Sequence, residues 1–209
     1  MRKLIRVSPS FAIRAIDDPI WDAANRVLYD LCRRHPDHTD EAIIVAKVWL
    51  IGRSYAAAIE RGAISKYLGD KLYTKGVSRI LKRRSLDNTL KRVHALRRSD
   101  AETVVSALEA INKVFGQISG RNNRSLVSKY MHFHCPKSVY IYDSRAVRAI
   151  RLLTKRARLS KTMKSLRSPY ASFFLRCEDF RITLEKMLHR KVTPRDLDKV
   201  LLAVVQKLS

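Results

Sequence analysis

Apolar residues recur every three or four positions along most of this 209-residue chain, which is the spacing of one face of an α-helix. Only residues 138–142, Ser-Val-Tyr-Ile-Tyr, have the pattern of an extended segment. A single extended segment has no partner strand with which to form a sheet. We therefore expect an all-α fold in which residues 1–209 form one compact helical domain, either undivided or split into two lobes around a central cleft.

Capping residues indicate where the predicted helices begin and end. Residues 17–34 carry an apolar stripe that includes Ile20 and Trp21, and residues 41–61 form a second apolar helix that stops at Gly62. These signals divide the chain into amphipathic helices that must pack against one another. Three pairs of residues predict further helix starts: Ser99 with Glu102, Ser168 with Pro169, and Thr193 with Pro194.

Positive charge constrains the function more than the fold. The chain has 43 Lys and Arg residues against 19 Asp and Glu, a net charge of +24, and residues 144–177 contain no acidic side chain. Such a charge favours a polyanionic partner, because each cation placed on a phosphate releases condensed counterions. We expect nucleic acid, and double-stranded DNA in particular, although a ribosomal or membrane-surface partner would favour a similar charge.

The cysteines and the apolar runs bear on location. Cys32, Cys135 and Cys177 are odd in number and far apart, which argues against a disulfide framework and for a reducing compartment. The first residues lack the apolar core of a signal peptide, and the richest apolar run, residues 42–51, contains Lys47 and is too short to span a membrane. We expect a cytoplasmic, nucleoid-associated protein with no membrane contact and no obligate protein partner.

Cofactor motifs are not found in the sequence. It has no Gly-rich phosphate loop, zinc-finger spacing or nucleophile elbow. His132, His134 and Cys135 are close enough to suggest metal ligands, but they lie at a predicted helix end beside Pro136 without a second well-spaced pair. We therefore expect no metal and no cofactor, and we assign these histidines a buried or capping role.

Asp143 is the most informative acidic residue, because it follows the extended segment and opens a basic helix. An Asp at this position caps the helix and meets the positive end of its dipole. A carboxylate in such a place is suited to stabilising a developing cation. Arg145 and Arg148 begin a cationic stripe along the same helix, which is suited to holding DNA phosphates beside the carboxylate.

The stretch around Asp143 consists of a helix, a short loop, an extended Ile-x-Asp that ends at Asp143, and a helix that begins at that Asp. This arrangement resembles the core of the helix-hairpin-helix DNA glycosylases, nearest the 8-oxoguanine DNA glycosylase branch. Residues 196–198, Asp-Leu-Asp, are similar to the Leu-Asp-rich last helix of that superfamily, so the resemblance spans roughly residues 110–205. It implies base excision, as in DNA repair. A damaged or modified nucleotide is flipped out of the duplex and its N-glycosidic bond is cleaved, with Asp143 as the catalytic carboxylate.

The hairpin that gives this superfamily its name matches in part. The family pattern is Gly-x-Gly followed by a basic residue, with backbone N–H groups that bind a DNA phosphate. Residues 119–124 are Ser-Gly-Arg-Asn-Asn-Arg, and only Gly120 matches. Asn122 and Asn123 tolerate a left-handed backbone and are interpreted as substitutes for glycine. The nucleic-acid contacts that the resemblance implies here are Gly120, Arg121, Arg124 and Ser125.

Lys129 is the second predicted catalytic residue, and its role depends on the register of the resemblance. In bifunctional members the Schiff-base Lys lies about one helical turn further upstream of the Asp than Lys129 does here. Counting back from Asp143 without a gap, that position is Ser125. If the loop is shorter, Lys129 is the nucleophile, its pKa lowered by cations such as Arg124, and the enzyme is also an AP lyase. In the ungapped register, water attacks instead.

Aromatic residues near this segment are candidates for the base pocket. Each stacked base gains roughly 1 to 3 kcal/mol, which helps to offset the cost of unstacking the nucleotide. Packing in the core is the alternative, and it is favoured for Phe173 and Phe174. The five candidates are Tyr140, Tyr142, Tyr170, Phe173 and Phe174.

The resemblance, together with the positive charge, implies a DNA glycosylase. Two other functions stay open. In the first, the chain is a non-enzymatic nucleic-acid-binding protein in which Asp143 only caps its helix and the arginines contact phosphates. In the second, the chain is a nuclease built on Asp143, His132 and His134.

Overall fold

The computed structural model describes residues 4–208 except residues 62, 65 and 97–99. Within that part of the chain the fold is all-α, as predicted, and no residue forms a strand. A π-helical turn, Leu72–Val77, leads directly into a short helix, α4. The α-helices are α1 (Pro9–Asp17), α2 (Asp22–Arg34), α3 (Glu41–Ser54), α4 (Ser78–Leu81), α5 (Arg84–His94), α6 (Ala101–Ser119), α7 (Arg124–His134), α8 (Ser144–Leu153), α9 (Lys161–Ser165), α10 (Pro169–Leu188) and α11 (Pro194–Lys207).

Helix α7 lies at the centre of the fold. It packs against α2, α3, α5 and α6, and every residue from Leu126 to His134 is buried. A helix that is buried on all sides is usually apolar all round. However, α7 carries Lys129, His132 and His134 within this buried stretch. Each of these polar side chains therefore needs a partner inside the protein.

A second group of helices packs around α8. Helix α8 has its most extensive contact with α11, and α10 packs against both α8 and α6. Helix α1 in turn packs against α10 and α11. One set of buried apolar side chains runs through both groups, from Ala12 in α1 to Val205 in α11. Asp143, which precedes α8, meets Lys129 of α7 where the two groups join.

Two of the predicted helix starts are confirmed. Ser168 caps α10 and Thr193 caps α11, and each cap is followed by a proline in the first turn. The predicted cap at Ser99 lies outside the described residues, and Asp100 caps α6. The short polar side chains at these positions accept hydrogen bonds from N–H groups that have no partner within their own helix.

The predicted helix over residues 17–34 is wrong at its start. The preceding segment forms a separate helix, α1, and α2 begins only at Asp22. The interruption has a local cause, because a residue before proline disfavours helical backbone and Pro19 lies between the two helices. Ile20 and Trp21 precede α2 and are 71% and 64% exposed, so they do not form part of its buried stripe.

The predicted helix over residues 41–61 is too long, since α3 ends seven residues earlier. The chain reverses there, and the Ala57 N–H donates to the Gly52 carbonyl at 2.8 Å. A Cβ on Gly52 would lie only 3.2 Å from the reversed backbone, so glycine permits this close approach. The predicted stop, Gly62, lies outside the described residues. The reversal places Tyr55 beside α7.

The cysteines and the membrane expectation can also be compared with the structure. Cys32, Cys135 and Cys177 are buried and unpaired, which agrees with the prediction that they form no disulfide framework. Among the helices that the structure describes, none is both long and apolar enough to cross a membrane.

Replacing Gly120 with alanine tests the packing of the turn between α6 and α7. Gly120 has a φ of 72°, and a Cβ there would lie 3.0 Å from the Ile64 carbonyl oxygen. We expect Gly120→Ala to lower the free energy of unfolding in urea by about 2 kcal/mol, through left-handed strain and this clash. Gly69→Ala is the matched control, because Gly69 has a φ of 55° with no described atom within 4 Å of its added Cβ. It should lose only about 1 kcal/mol, and equal losses would contradict the contact with Ile64.

Candidate functional site

The predicted extended segment, residues 138–142, forms no strand and bonds instead to side chains of α7. His132 Nδ1 donates to the Val139 carbonyl at 2.7 Å, and the Tyr142 N–H donates to Ser128 Oγ at 2.9 Å. Two polar side chains of the central helix thereby satisfy backbone groups that a neighbouring strand would otherwise satisfy.

Helix α10 holds the same segment from the other side. The Tyr170 hydroxyl accepts the N–H of Tyr140 at 3.1 Å and donates to the carbonyl of Tyr140 at 2.9 Å. Tyr170 is fully buried, so this two-way contact lies inside the core. The segment is therefore fixed between α7 and α10, and it fixes the position of Asp143, which follows it.

Asp143 caps α8, as predicted. Its Oδ1 accepts the N–H of Ala146 at 2.9 Å, and its Oδ2 lies 3.5 Å from Lys129 Nζ. The cap bond restricts the side chain to a conformation in which the second oxygen faces α7. The side chain is 17% exposed, so one carboxylate contacts the helix cap, the buried lysine and solvent.

Lys129 is a buried amine, only 1% exposed, in the middle of the central helix. Its Nζ donates to Ser125 Oγ at 2.8 Å, one helical turn earlier, and lies 5.9 Å from the centroid of the Tyr55 ring. The two registers of the family resemblance placed either Ser125 or Lys129 at the nucleophile position. The structure brings both side chains into one site beside Asp143.

Burial lowers the pKa of Lys129, because the interior replaces the water that would solvate its ammonium group. Arg145 lowers this pKa further, whereas Asp143 and Asp198 oppose the shift. A lysine with a lowered pKa has a larger neutral fraction near pH 7, and the neutral amine is the nucleophilic form.

Arg124 does not cause this shift. Its Nε donates to Glu109 at 2.8 Å, and the Ser168 hydroxyl donates to the same carboxylate at 2.5 Å. The prediction that Arg124 lowers the pKa of Lys129 is therefore wrong, because Glu109 neutralises Arg124 and burial is the main cause. The predicted contact between Arg124 and DNA would compete with this ion pair.

Helix α11 contributes a second carboxylate. Asp198 is 4% exposed and pairs with Arg195 at 2.6 Å. Burial, with a smaller contribution from the charge of Asp143, raises the pKa of Asp198 from 3.8 to about 6 against the opposing charges of Arg195 and Lys129. Lys129 therefore interacts electrostatically with two carboxylates, the partly exposed Asp143 and the buried Asp198.

Tyr55 forms one wall of the site. Its hydroxyl donates to Asn25 Oδ1 at 2.6 Å, and Asn25 Nδ2 donates to the Trp21 carbonyl at 2.8 Å. These bonds fix the ring beside the Lys129 amine. Burial raises the pKa of Tyr55, so its hydroxyl stays neutral and the ring adds no negative charge to the site.

The Lys129 amine is buried, whereas Tyr55, Ser125 and Asp143 around it are only partly buried. A ligand at the surface of the site would meet the Asp143 carboxylate before the amine. This arrangement suits an electrophilic carbon that develops positive charge, because the carboxylate stabilises the charge while the amine or a water molecule attacks.

The loop between α6 and α7 bonds its own backbone. The N–H groups of residues 120, 121, 123 and 124 all donate within the loop or to α6. Gly120 is the left-handed C-cap of α6. Neither Asn122 nor Asn123 has a left-handed backbone, so the expectation that they substitute for glycine is wrong. Their side chains hydrogen-bond to the loop instead: Asn122 Oδ1, for example, accepts the Arg124 N–H at 3.0 Å.

Three of the predicted nucleic-acid contacts are exposed arginines. Arg121 lies in the loop after α6, and Arg145 and Arg148 lie on the outer face of α8. None of them forms an ion pair with another described residue. Their guanidinium groups are therefore free to contact phosphates, and the predicted DNA contact at these positions stays a prediction.

The aromatic candidates divide into two sets. Tyr140 is 2% exposed and Tyr170 and Phe174 are 0% exposed, and their placement in a base pocket does not fit the structure, because core packing leaves none of these rings a free face. Phe173 is also part of the core, as the alternative interpretation had it. Tyr142 is partly buried, with its ring at right angles to that of Phe173 and 5.1 Å away. Tyr142 and Phe173 both line a surface cavity.

His132 and His134 do not join Asp143. Both ring nitrogens of His132 are bonded, one to a backbone carbonyl and the other to the Tyr29 hydroxyl at 2.6 Å. His134 stacks against His38 instead. Among the residues that the structure describes, no cluster of three His, Cys, Asp or Glu side chains could hold a metal ion. The arrangement required for the nuclease interpretation is therefore not formed.

Comparisons of the chain with protein-family models, with curated proteins and with solved structures give no match. The pairing of the buried Lys129 with Asp143, near the buried charge of Asp198, is therefore what a proposed function has to explain.

Several residues of the site were not predicted. Arg195 and Asp198 have the spacing of an ion pair within one helix, but nothing in the sequence shows that this pair faces α7. Tyr55 reaches the site only because the chain reverses after α3, and the apolar residues that continue beyond that point hide the reversal. Asn25 belongs to the site only through its hydrogen bond with Tyr55, so it was not predicted either.

Acidification is expected to destabilise the protein through three buried histidines, His38, His132 and His134. Burial lowers the pKa of His38 and of His132 from 6.5 to about 4 and that of His134 well below 6.5, so the unfolded chain binds protons below pH 6.5 that the folded protein does not. For His38 and for His132, the shift corresponds to a loss of about 3 kcal/mol in the free energy of unfolding as the pH falls toward 4. The raised pKa of Asp198 acts in the opposite direction and offsets about one of these losses.

Urea unfolding at about pH 7, 6 and 5 measures this dependence. His132→Gln should make the free energy of unfolding less sensitive to pH, because it removes one of the three buried histidines. His35→Gln is the control, since His35 is exposed. A free energy that is constant over this range in the wild type, or an equal effect of both substitutions, would contradict the assignment.

Proposed function

We propose that this protein is a DNA glycosylase in which Lys129 and Asp143 form the catalytic pair. The observation that carries the proposal is the buried Lys129 amine, which lies 3.5 Å from a carboxylate that is fixed as a helix cap. A lysine that serves only as a solvated cation has no reason to be 1% exposed. A nucleophilic lysine needs burial of this kind, because burial lowers its pKa.

The chemistry follows from the positions of the two groups. The neutral Lys129 amine attacks C1′ of a nucleotide that has been flipped out of the duplex. The C1′–N bond breaks, and the base leaves with the bonding electron pair. Nζ loses a proton as its bond to C1′ forms, and the departing base takes up a proton. Opening of the sugar ring then gives a Schiff base between Nζ and C1′, from which elimination cleaves the strand.

Asp143 contributes electrostatic stabilisation. As the C1′–N bond lengthens, the sugar gains positive charge, and the carboxylate that a ligand meets first offsets it. The same carboxylate can orient a water molecule. If water rather than Lys129 attacks, the product is an abasic site without strand cleavage, and Lys129 assists by its charge. Ser125, which accepts a hydrogen bond from Lys129 at 2.8 Å, offers such a water molecule a further hydroxyl partner.

The surface charge supports a DNA substrate. The net charge of +24 is large for 209 residues, and exposed arginines lie on the helix that Asp143 caps. Arg145 and Arg148 would contact phosphates beside the flipped nucleotide. These contacts position the strand without reading its sequence, so they are compatible with the excision of a damaged or a modified base in any sequence context.

A non-enzymatic DNA-binding protein is the second candidate. It is favoured by the hydrogen bond from the Ala146 N–H to Asp143 Oδ1, because a purely structural helix cap makes the same bond. In that case the arginines of α8 bind phosphates, and the pairing of Lys129 with Asp143 serves the fold alone.

The Asp143→Asn variant separates these two functions. Purified protein is incubated with duplex oligonucleotides that each carry one damaged or modified base, and abasic sites are detected as alkali-labile breaks. Asn caps helices about as well as Asp, so the variant should stay folded and keep its affinity for DNA, with a lower free energy of unfolding because Lys129 loses its nearby carboxylate. We expect its excision rate to fall by about a hundredfold or more, because the charge that stabilises the transition state is lost.

Asp40→Asn is the matched control, because Asp40 caps α3 in the same way and is exposed. It should excise at the wild-type rate. Borohydride trapping in the same assay separates the two nucleophiles, since only an amine forms a reducible Schiff base. An adduct that persists in Lys129→Gln would exclude Lys129 as the nucleophile. Wild-type protein that binds every duplex but excises no base would support the second candidate instead.

A further inference from the structure

A small cavity lies between α8 and α10, and three arginines line it. Arg151 is in the last turn of α8, Arg156 is in the segment that follows, and Arg176 is in the middle of α10. The cavity has a volume of about 280 Å³. Tyr142 and Phe173 form part of its wall.

The three guanidinium groups have no counter-charge. Among the described residues, no carboxylate pairs with Arg151, Arg156 or Arg176, and residues 144–177 contain no acid at all. Cations that share one cavity repel each other, and the repulsion grows as they lose solvent. Burial lowers the pKa of Arg176, and the charges of Arg151 and Arg156 lower it further. The fold thus maintains an unfavourable cluster that a bound anion would stabilise.

We propose that this cavity binds a phosphate group through Arg151, Arg156 and Arg176. Guanidinium groups match the oxygens of a phosphate in pairs, and three of them around one cavity can contact it from several sides. A phosphate does not fill the available volume. The remaining wall, with the Tyr142 and Phe173 rings, is suited to the sugar or base attached to that phosphate.

Its position beside the site indicates which phosphate it binds. Tyr142 lines the cavity and is followed directly by Asp143, and consecutive Cα atoms are about 3.8 Å apart. A DNA strand that presents a nucleotide to Asp143 therefore has a neighbouring phosphodiester within reach of the cavity. This assignment to DNA rests on the proposed function. The phosphate-binding chemistry does not, because a free phosphorylated molecule would use the same three arginines.

Calorimetric titration with inorganic phosphate tests the cavity itself. We expect the wild type to bind phosphate at one saturable site, and Arg176→Gln to weaken that binding about tenfold or more, because a charge-assisted contact is lost. Arg158→Gln is the matched control, since Arg158 is exposed in the segment after α8 and does not line the cavity. It should bind within about twofold of the wild type.

Equal losses in the two variants, or wild-type affinity in Arg176→Gln, would overturn the proposal. Thermal unfolding without phosphate is measured in parallel. Arg176→Gln should be at least as stable as the wild type, because one of three repelling cations is neutralised. Arg151→Gln, at an exposed position, repeats the test if Arg176→Gln does not fold.

Salt-dependent binding of duplex DNA then identifies the source of the phosphate. If the cavity holds a DNA phosphodiester, Arg176→Gln should lower the slope of log affinity against log salt by about 1 relative to wild type. An unchanged slope would overturn the assignment to DNA. The titration with inorganic phosphate needs no excision, and Asp143→Asn should bind phosphate as the wild type does. Failure of the proposed function and failure of this inference are therefore distinguishable.

Discussion

A cation placed inside the core is the constraint on which the rest of the site depends. Moving an ammonium group out of water costs several kcal/mol unless it is paired and hydrogen-bonded. Lys129 is 1% exposed, and its neighbours are what such a group requires: a hydroxyl at 2.8 Å, a carboxylate at 3.5 Å and an aromatic ring. These partners come from α7, from the start of α8 and from the end of α3. The lysine thereby couples packing of the core to the position of the Asp143 carboxylate.

The Asp143 carboxylate is positioned by a segment that side chains, rather than a neighbouring strand, hold in place. The segment before Asp143 has no strand partner, and side chains of α7 and α10 bind its backbone instead. His132 belongs to this support, so its role is to position the segment rather than to bind a metal. Two of these contacts, those of Val139 with His132 and of Tyr140 with Tyr170, are fully buried. A preorganised carboxylate of this kind loses little free energy to reorganisation during a reaction.

Much of the fold followed from the sequence, and the exceptions have local causes. Periodicity and capping signals predicted the all-α class and the starts of α8, α10 and α11, because a cap depends on neighbouring residues alone. The reversal after α3 depends on a close approach at Gly52, which periodicity does not reveal. Within the site, the cap at Asp143 and its closeness to Lys129 were predictable. The contribution of Asp198 depends on tertiary packing between helices, and the sequence does not encode it in any local pattern.

The site depends on Lys129 being a buried amine whose pKa is depressed by its surroundings. An NMR titration of protein labelled at the lysine Cε carbons measures that pKa directly, with Lys129→Gln to assign the signal. We expect a pKa for Lys129 below the ordinary value of 10.5, and a further decrease in Asp143→Asn, since the carboxylate opposes the shift. A pKa at or above 10.5 would contradict it, because the lysine would then be an ordinary cation held by an ion pair.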